Sequence, residues 1–135
     1  MQQPQDHKLK IIEIIDEAPK TKTFRVQIPE RTKINFFPGQ FFMVMFDNNL
    51  KLQRSYSIAS SPTQKQYIDI TMDLVGEFTN RLFNSKVNDC LIFKGPFGKF
   101  YFNEEMNNNL VLIGGGLGIT PLMSIIRYCN DKKLQ

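Results

Sequence analysis

Leu110-Val111-Leu112-Ile113-Gly114-Gly115-Gly116-Leu117-Gly118-Ile119-Thr120-Pro121 divides the chain into two kinds of pattern. Its first four residues form a short apolar run suited to a parallel strand covered on both faces. The glycines turn the chain, and Thr120-Pro121 then opens a helix that runs to about Cys129, with Thr at the cap and Pro at the first helical position. Strand, glycine turn and helix are the first half of a βαβ unit.

Everything before this stretch reads differently. Thr23–Ile28 alternates, with Phe24, Val26 and Ile28 on one face and Thr23, Arg25 and Gln27 on the other. Strand patterns also cover Lys8–Ile15, Gln40–Phe46, Arg54–Ala59, Tyr67–Leu74 and Cys90–Lys94, separated by turn residues such as Pro38-Gly39, Ser60-Ser61-Pro62 and Gly95-Pro96. Between the fifth and sixth strands, Gly76–Ser85 changes period and places Phe78, Leu82 and Phe83 at helical spacing. The pattern predicts a mainly β protein: a six-stranded antiparallel Greek-key barrel with one short helix. The first strand and helix of an incomplete α/β nucleotide-binding domain follow. The expected division is a barrel domain over 1–105 and a nucleotide-domain fragment over 106–135. A lone strand and helix cannot build a Rossmann-like layer, so the missing remainder, or another subunit, is expected to cover them. The apolar Leu110–Cys129 region is otherwise expected to self-associate or to exchange its amides rapidly.

Composition narrows the chemistry. The 135 residues are 41% hydrophobic with 12 Phe, enough to fill a core. The net charge of +4 is spread out, Lys132-Lys133 being the only adjacent basic pair, which argues against a nucleic-acid surface. No apolar run approaches the ~20 residues of a membrane-spanning helix. The first eight residues, Met1 to Lys8, lack an apolar signal core, so a cytoplasmic address is expected. Cys90 and Cys129 have no metal-ligand spacing and read as buried free thiols. The single histidine, His7, lies in what reads as a ragged tail. No metal site and no Ser-His-Asp catalyst is expected, which leaves redox or transfer chemistry to a bound organic cofactor.

Three stretches can hold such a group. In Arg54-Ser55-Tyr56-Ser57, period 2 puts Arg54 and Tyr56 on one face, a guanidinium for phosphate beside an aromatic surface. An ordinary exposed strand would carry the same residues. Gly76-Glu77-Phe78-Thr79 starts a helix, whose free N–H groups suit a phosphate or pyrophosphate, with Thr79 offering a hydroxyl. A glycine turn with a Thr cap is the plainer reading. Gly114–Gly118 lacks the third glycine of G-x-G-x-x-G, since Ile119 occupies it, but still allows close approach of a pyrophosphate. A fourth stretch, Gly95-Pro96-Phe97-Gly98-Lys99-Phe100, reads as a rigid turn closing the barrel, with Phe97 and Phe100 packing between domains.

Together, and in this order, these stretches resemble the ferredoxin–NADP reductase family of flavoproteins. Pro38-Gly39-Gln40-Phe41 is similar to its turn into the third strand, Arg54-Ser55-Tyr56-Ser57 to its flavin motif, Gly76 to Thr79 to its flavin-phosphate helix, and Gly95-Pro96-Phe97-Gly98 to its barrel exit. Gly114 to Pro121 is similar to the nicotinamide-nucleotide loop. The resemblance implies FAD as cofactor, with Arg54 on the flavin phosphate, Ser55 beside it, Tyr56 against the isoalloxazine or ribityl chain and Ser57 near the flavin N5. Gly76, Phe78 and Thr79 would line the pyrophosphate, while Gly115, Gly116, Gly118 and Thr120 would meet NADH or NADPH. Alternation sends Ser57 away from the Tyr56 face, so either a bulge or a backbone contact must bring it to N5. The implied activity is flavin-dependent NAD(P)H oxidoreduction, with electrons passing to an iron–sulfur, haem or other acceptor. A non-catalytic flavin-binding or assembly module is the alternative.

Overall fold

The computed structural model describes residues 3–106 and 109–134. Six strands form one antiparallel sheet: β1 (Gln5–Ala18), β2 (Thr21–Gln27), β3 (Phe41–Phe46), β4 (Asn49–Ser57), β5 (Tyr67–Asp73) and β6 (Cys90–Phe97). Their spatial order is β4-β3-β6-β1-β2-β5. A short helix, α1 (Gly76–Phe83), links β5 to β6, and a second helix, α2 (Ile119–Asp131), follows a 3-10 turn over Gly116–Gly118. No described helix is long and apolar enough to cross a membrane.

Alternation decides which side chains face inward. Leu9, Ile11, Phe24, Val26, Phe42, Val44, Ile68, Ile70, Leu91 and Phe93 are buried in one cluster that fills the curled sheet. Full burial of an aliphatic or aromatic side chain of this size stabilises by roughly 1.5–3 kcal/mol. Helix α1 inserts Phe78 and Leu82, one turn apart, into the same cluster. It therefore acts as a plug for the curled sheet.

Among the described residues, the one ladder bridge between the edge strands β4 and β5 is the isolated Ile58↔Ile70, just beyond the end of β4. Each otherwise has one paired side: β4 on β3, β5 on β2. The curled sheet thus keeps an open seam.

Several sequence expectations shift. The fourth strand starts at Asn49, not Arg54, because Asn49 pairs with Phe46 across a register shift that absorbs the polar turn residues. Gly95-Pro96 lies inside β6 and not at its end. The pairs Phe41↔Phe97 and Met43↔Lys94 leave one extra residue on β6, and this bulge tolerates a proline that has no N–H to donate. His7 belongs to β1, paired with Phe93, and burial lowers its pKa. Leu110–Ile113 pairs with no described strand, and Val111 and Ile113 are 86% and 89% exposed. Helix α2 begins two residues early, with Gly118 as its cap, while Thr120 donates its hydroxyl to the Leu117 carbonyl (2.9 Å). Pro121 is still within the first turn, where its missing N–H costs nothing. Cys90 and Cys129 are free and half-buried, and burial pushes the Cys129 thiol up.

The turn before β3 fixes the exit from the barrel. Phe102 N–H donates to the Pro38 carbonyl (3.0 Å), and Gly39 (φ +109°) lies under the Phe100–Tyr101 backbone. A Cβ at Gly39 would sit 2.7 Å from the Phe100 oxygen. Gly39→Ala therefore combines backbone strain with a backbone clash. Denaturant unfolding should register a loss of at least about 2 kcal/mol; a change below about 0.5 kcal/mol would show that the turn does not need glycine.

Candidate functional site

The seam brings together the residues that the sequence singles out as a flavin motif. Arg54, Tyr56 and the start of α1 all stand around it. The β3–β4 register runs without a shift from Met45↔Gln53 to Phe41↔Ser57. Arg54 and Tyr56 therefore share the inward face, as period 2 requires. Tyr56 packs against the core, its ring 5.7 Å from that of Phe78, and burial pushes its phenol up to about 12. Arg54, on the same face, is exposed because no strand lies alongside it. Its guanidinium bonds only the neighbouring Gln53 carbonyl (2.7 Å), and among the described residues it forms no ion pair.

The same register settles one tension. No bulge falls between Tyr56 and Ser57, so the Ser57 hydroxyl stays on the opposite face from Tyr56. Any approach of Ser57 to a group lying on the Tyr56 side uses its backbone.

At the other edge of the seam, β5 leads through Val75 into α1. Gly76 is in the left-handed region (φ +78°), with open space where a Cβ would stand. The side chains behind it are already committed. Thr79 Oγ1 accepts from Val75 N–H (2.6 Å) and donates to the Gly76 carbonyl (3.3 Å). Phe78 is buried against Phe46 and Tyr56. What α1 offers to the seam is therefore the unpaired N–H groups of its first turn, with the Glu77 carboxylate close by. Arg81 is not a solvated charge: its guanidinium stacks 4.0 Å over the Phe46 ring and hydrogen-bonds Asn48.

A flavin fits this arrangement. The edges of β4 and β5 present backbone donors and acceptors, Arg54 supplies an uncommitted cation for phosphate, and Tyr56 supplies a flat apolar face. The fit is poorer than expected only at Thr79 and Phe78, which serve the fold with their side chains.

The glycine loop stands beyond the end of β4. A cavity of about 580 Å³ lies between the outer face of β2 and β5 and the start of α2. Gly116 and Thr120 line it together with Ala59, two residues beyond Ser57. Gly115, Gly116 and Gly118 have open space at their Cβ positions. The loop's tight glycine is Gly114, where a Cβ would meet Leu122 at 2.8 Å, so this position serves helix packing. Across the cavity, Arg25 holds Asp69 through Nε (2.9 Å) and Nη2 (3.0 Å), bonds Glu13 (2.8 Å) and stacks on Tyr67. The nearly buried Asp69 raises the Arg25 pKa further. Ala59, Ser60 and Asp69 escape sequence reading, since none stands in a recognisable motif. Phe97 is half-buried and packs on Phe41, and Phe100 is exposed.

The family model for the oxidoreductase FAD-binding domain matches residues 8–102. The chain is 30% identical over 129 residues to the glycine betaine monooxygenase reductase subunit of Chromohalobacter salexigens, covering 93% of this chain and 35% of that protein. It is 32% identical over 117 residues to a probable dihydroorotate dehydrogenase B (NAD(+)) electron transfer subunit of Methanothermobacter thermautotrophicus, covering 87% and 41%. Among solved structures, the Amycolatopsis cytochrome P450 reductase GcoB superimposes with a TM-score of 0.82 at 27% identity, covering 92% of this chain and 38% of that one. Phthalate dioxygenase reductase shares the fold, with a TM-score of 0.84 at 20% identity and coverage of 96% and 41%. The chain spans less than half the length of these relatives. The family match covers most of the chain and coincides with the barrel and its seam, and the protein belongs to the oxidoreductase FAD-binding domain family.

Proposed function

We propose that the seam between β4 and β5 holds FAD, and that this chain is the flavin part of a reductase that takes electrons from NADH or NADPH and passes them to an iron–sulfur or haem acceptor. The observation that carries this reading is the convergence of an unpaired arginine, a tyrosine face and a helix start on one open strand edge. Relatives named as reductase and electron-transfer subunits support the direction of electron flow. A bound flavin accepts electrons in pairs and releases them singly or in pairs, which is the chemistry the protein itself lacks.

The residues bind and orient. Arg54 neutralises a flavin phosphate, and the first-turn N–H groups at Gly76 and Phe78 take the adjoining phosphate. Ser55 and Ser57 contribute backbone groups from the β4 edge. Tyr56 stays protonated at neutral pH, given a pKa of about 12, and covers one side of the flavin as a neutral ring. Gly115, Gly116 and Gly118 let a dinucleotide pyrophosphate approach, with the cavity beside Ala59 on the path to the flavin. Thr120 orders that loop through its bond to Leu117. The boundary between barrel and nucleotide segment falls near residue 105 in this reading. The remainder of the nucleotide domain, or another subunit, supplies the other half of the NAD(P)H site.

Two phosphate-binding elements suit a dinucleotide flavin. Acid release of the cofactor followed by chromatography should recover FAD in preference to FMN; FMN alone would contradict the pairing of Arg54 with the α1 start.

Arg54→Ala removes a charge-assisted contact and should weaken FAD binding roughly tenfold to a hundredfold in a flavin titration. Arg81→Ala removes the Phe46 stack and should lower thermal stability while changing FAD affinity by less than about threefold. Equal losses of affinity in the two variants would mean that the phosphate lies elsewhere.

A further inference from the structure

Four hydrogen bonds converge on Ala59 and Ser60, immediately beyond the flavin motif. From β5, Asp69 N–H donates to Ser60 Oγ (3.0 Å) and the Asp69 carbonyl accepts from Ala59 N–H (2.9 Å). From α2, Arg127 donates to the Ala59 carbonyl (2.6 Å) and the Ser124 hydroxyl donates to the Ser60 carbonyl (2.7 Å). One turn further along α2, the Asp131 carboxylate accepts from the Thr63 hydroxyl. Ser124, Arg127 and Asp131 fall on one helix stripe, at spacings of three and four. Ser124 and Ser60 are 0% and 2% exposed, so their hydrogen bond is made away from water, where an unmet partner is costly.

The flank of α2 that rests on the barrel exit is of another kind. Leu122 and Ile125 cluster with Phe102, and Tyr128 bonds Glu104 (2.6 Å). Apolar contact is non-directional and would let the helix pivot about Phe102. Hydrogen bonds to two fixed carbonyls do not allow that.

We propose that Ser124 and Arg127 are positioning residues that lock the glycine loop Gly114–Gly118 in register with the exit of the flavin strand. The relative placement of nucleotide loop and flavin motif is then set by residues of this chain. The proposal rests on the function given above for those two elements, but its structural content is testable without activity.

The test is hydrogen–deuterium exchange on the FAD-loaded chain, with wild type compared with Ser124→Ala, Arg127→Ala, the double variant and Arg127→Lys. Tyr128→Phe, on the other flank of α2, serves as control. The double variant should speed exchange at Gly118 and Ile119, the amides hydrogen-bonded back into the loop, by about tenfold or more, with β1, β2 and β6 protected as in wild type. Each single alanine variant should give a smaller increase, so the result does not depend on the double variant folding. Arg127→Lys, which keeps one donor for the Ala59 carbonyl, should return the loop to within about threefold of wild type. FAD affinity should change by less than about threefold in all variants, since the seam is untouched. Unchanged loop exchange in both single variants would overturn the proposal, as would equal loosening by Tyr128→Phe. If wild type binds no flavin, the functional reading fails, and the exchange comparison on the flavin-free chain still decides whether the clamp exists.

Discussion

The open seam between β4 and β5 is the constraint around which the molecule is organised. A sheet edge leaves backbone N–H and C=O groups without partners, and a β protein must pair, cover or use them. Here, among the described residues, the two edges share one ladder bridge, at Ile58↔Ile70, and then part. One end of the gap is filled by Phe78 and Leu82 of α1, which complete the core. The rest is lined by Arg54, Tyr56 and the first turn of α1. Closing the ladder would satisfy the backbone and abolish the site. The family match spans this open edge, and the proposed flavin site lies in it.

The second organising feature is the handover from seam to nucleotide loop. The chain leaves β4 through Ile58, and within two residues it is bound to β5 on one side and to α2 on the other. A cavity of about 580 Å³ opens beside this node, with glycine-loop residues on one wall and the Arg25–Asp69 pair on the opposite one. Buried, fully satisfied polar contacts fix geometry more sharply than apolar packing does. In the proposed function, electron transfer between two bound groups would depend on such placement.

Much of this was legible in the residues. Alternation in Thr23–Ile28 and the period change after Gly76 marked β2 and α1, because each is decided by local pattern. The face shared by Arg54 and Tyr56 followed from period 2 and holds in the register. What sequence could not supply was set by partners distant along the chain. The bulge at Gly95-Pro96 exists only relative to Phe41 and Met43, and Leu110–Ile113 forms no strand because no described segment pairs with it. Thr79 looked available to a ligand until its hydroxyl was found between Val75 and Gly76. The bonds from Ser124 and Arg127 to Ser60 and Ala59 join residues separated by 64 and 68 positions, a distance no local pattern spans.

Backbone amide chemical shifts during an FAD titration report directly on whether the β4–β5 seam holds the flavin. The largest shifts are expected at Arg54–Ser57 on one edge, at Ile70–Asp73 on the other, and in Gly76–Phe78, with β1 and β6 nearly unmoved. Shifts centred on the β1–β6 face, or confined to Gly114–Gly118, would contradict that placement.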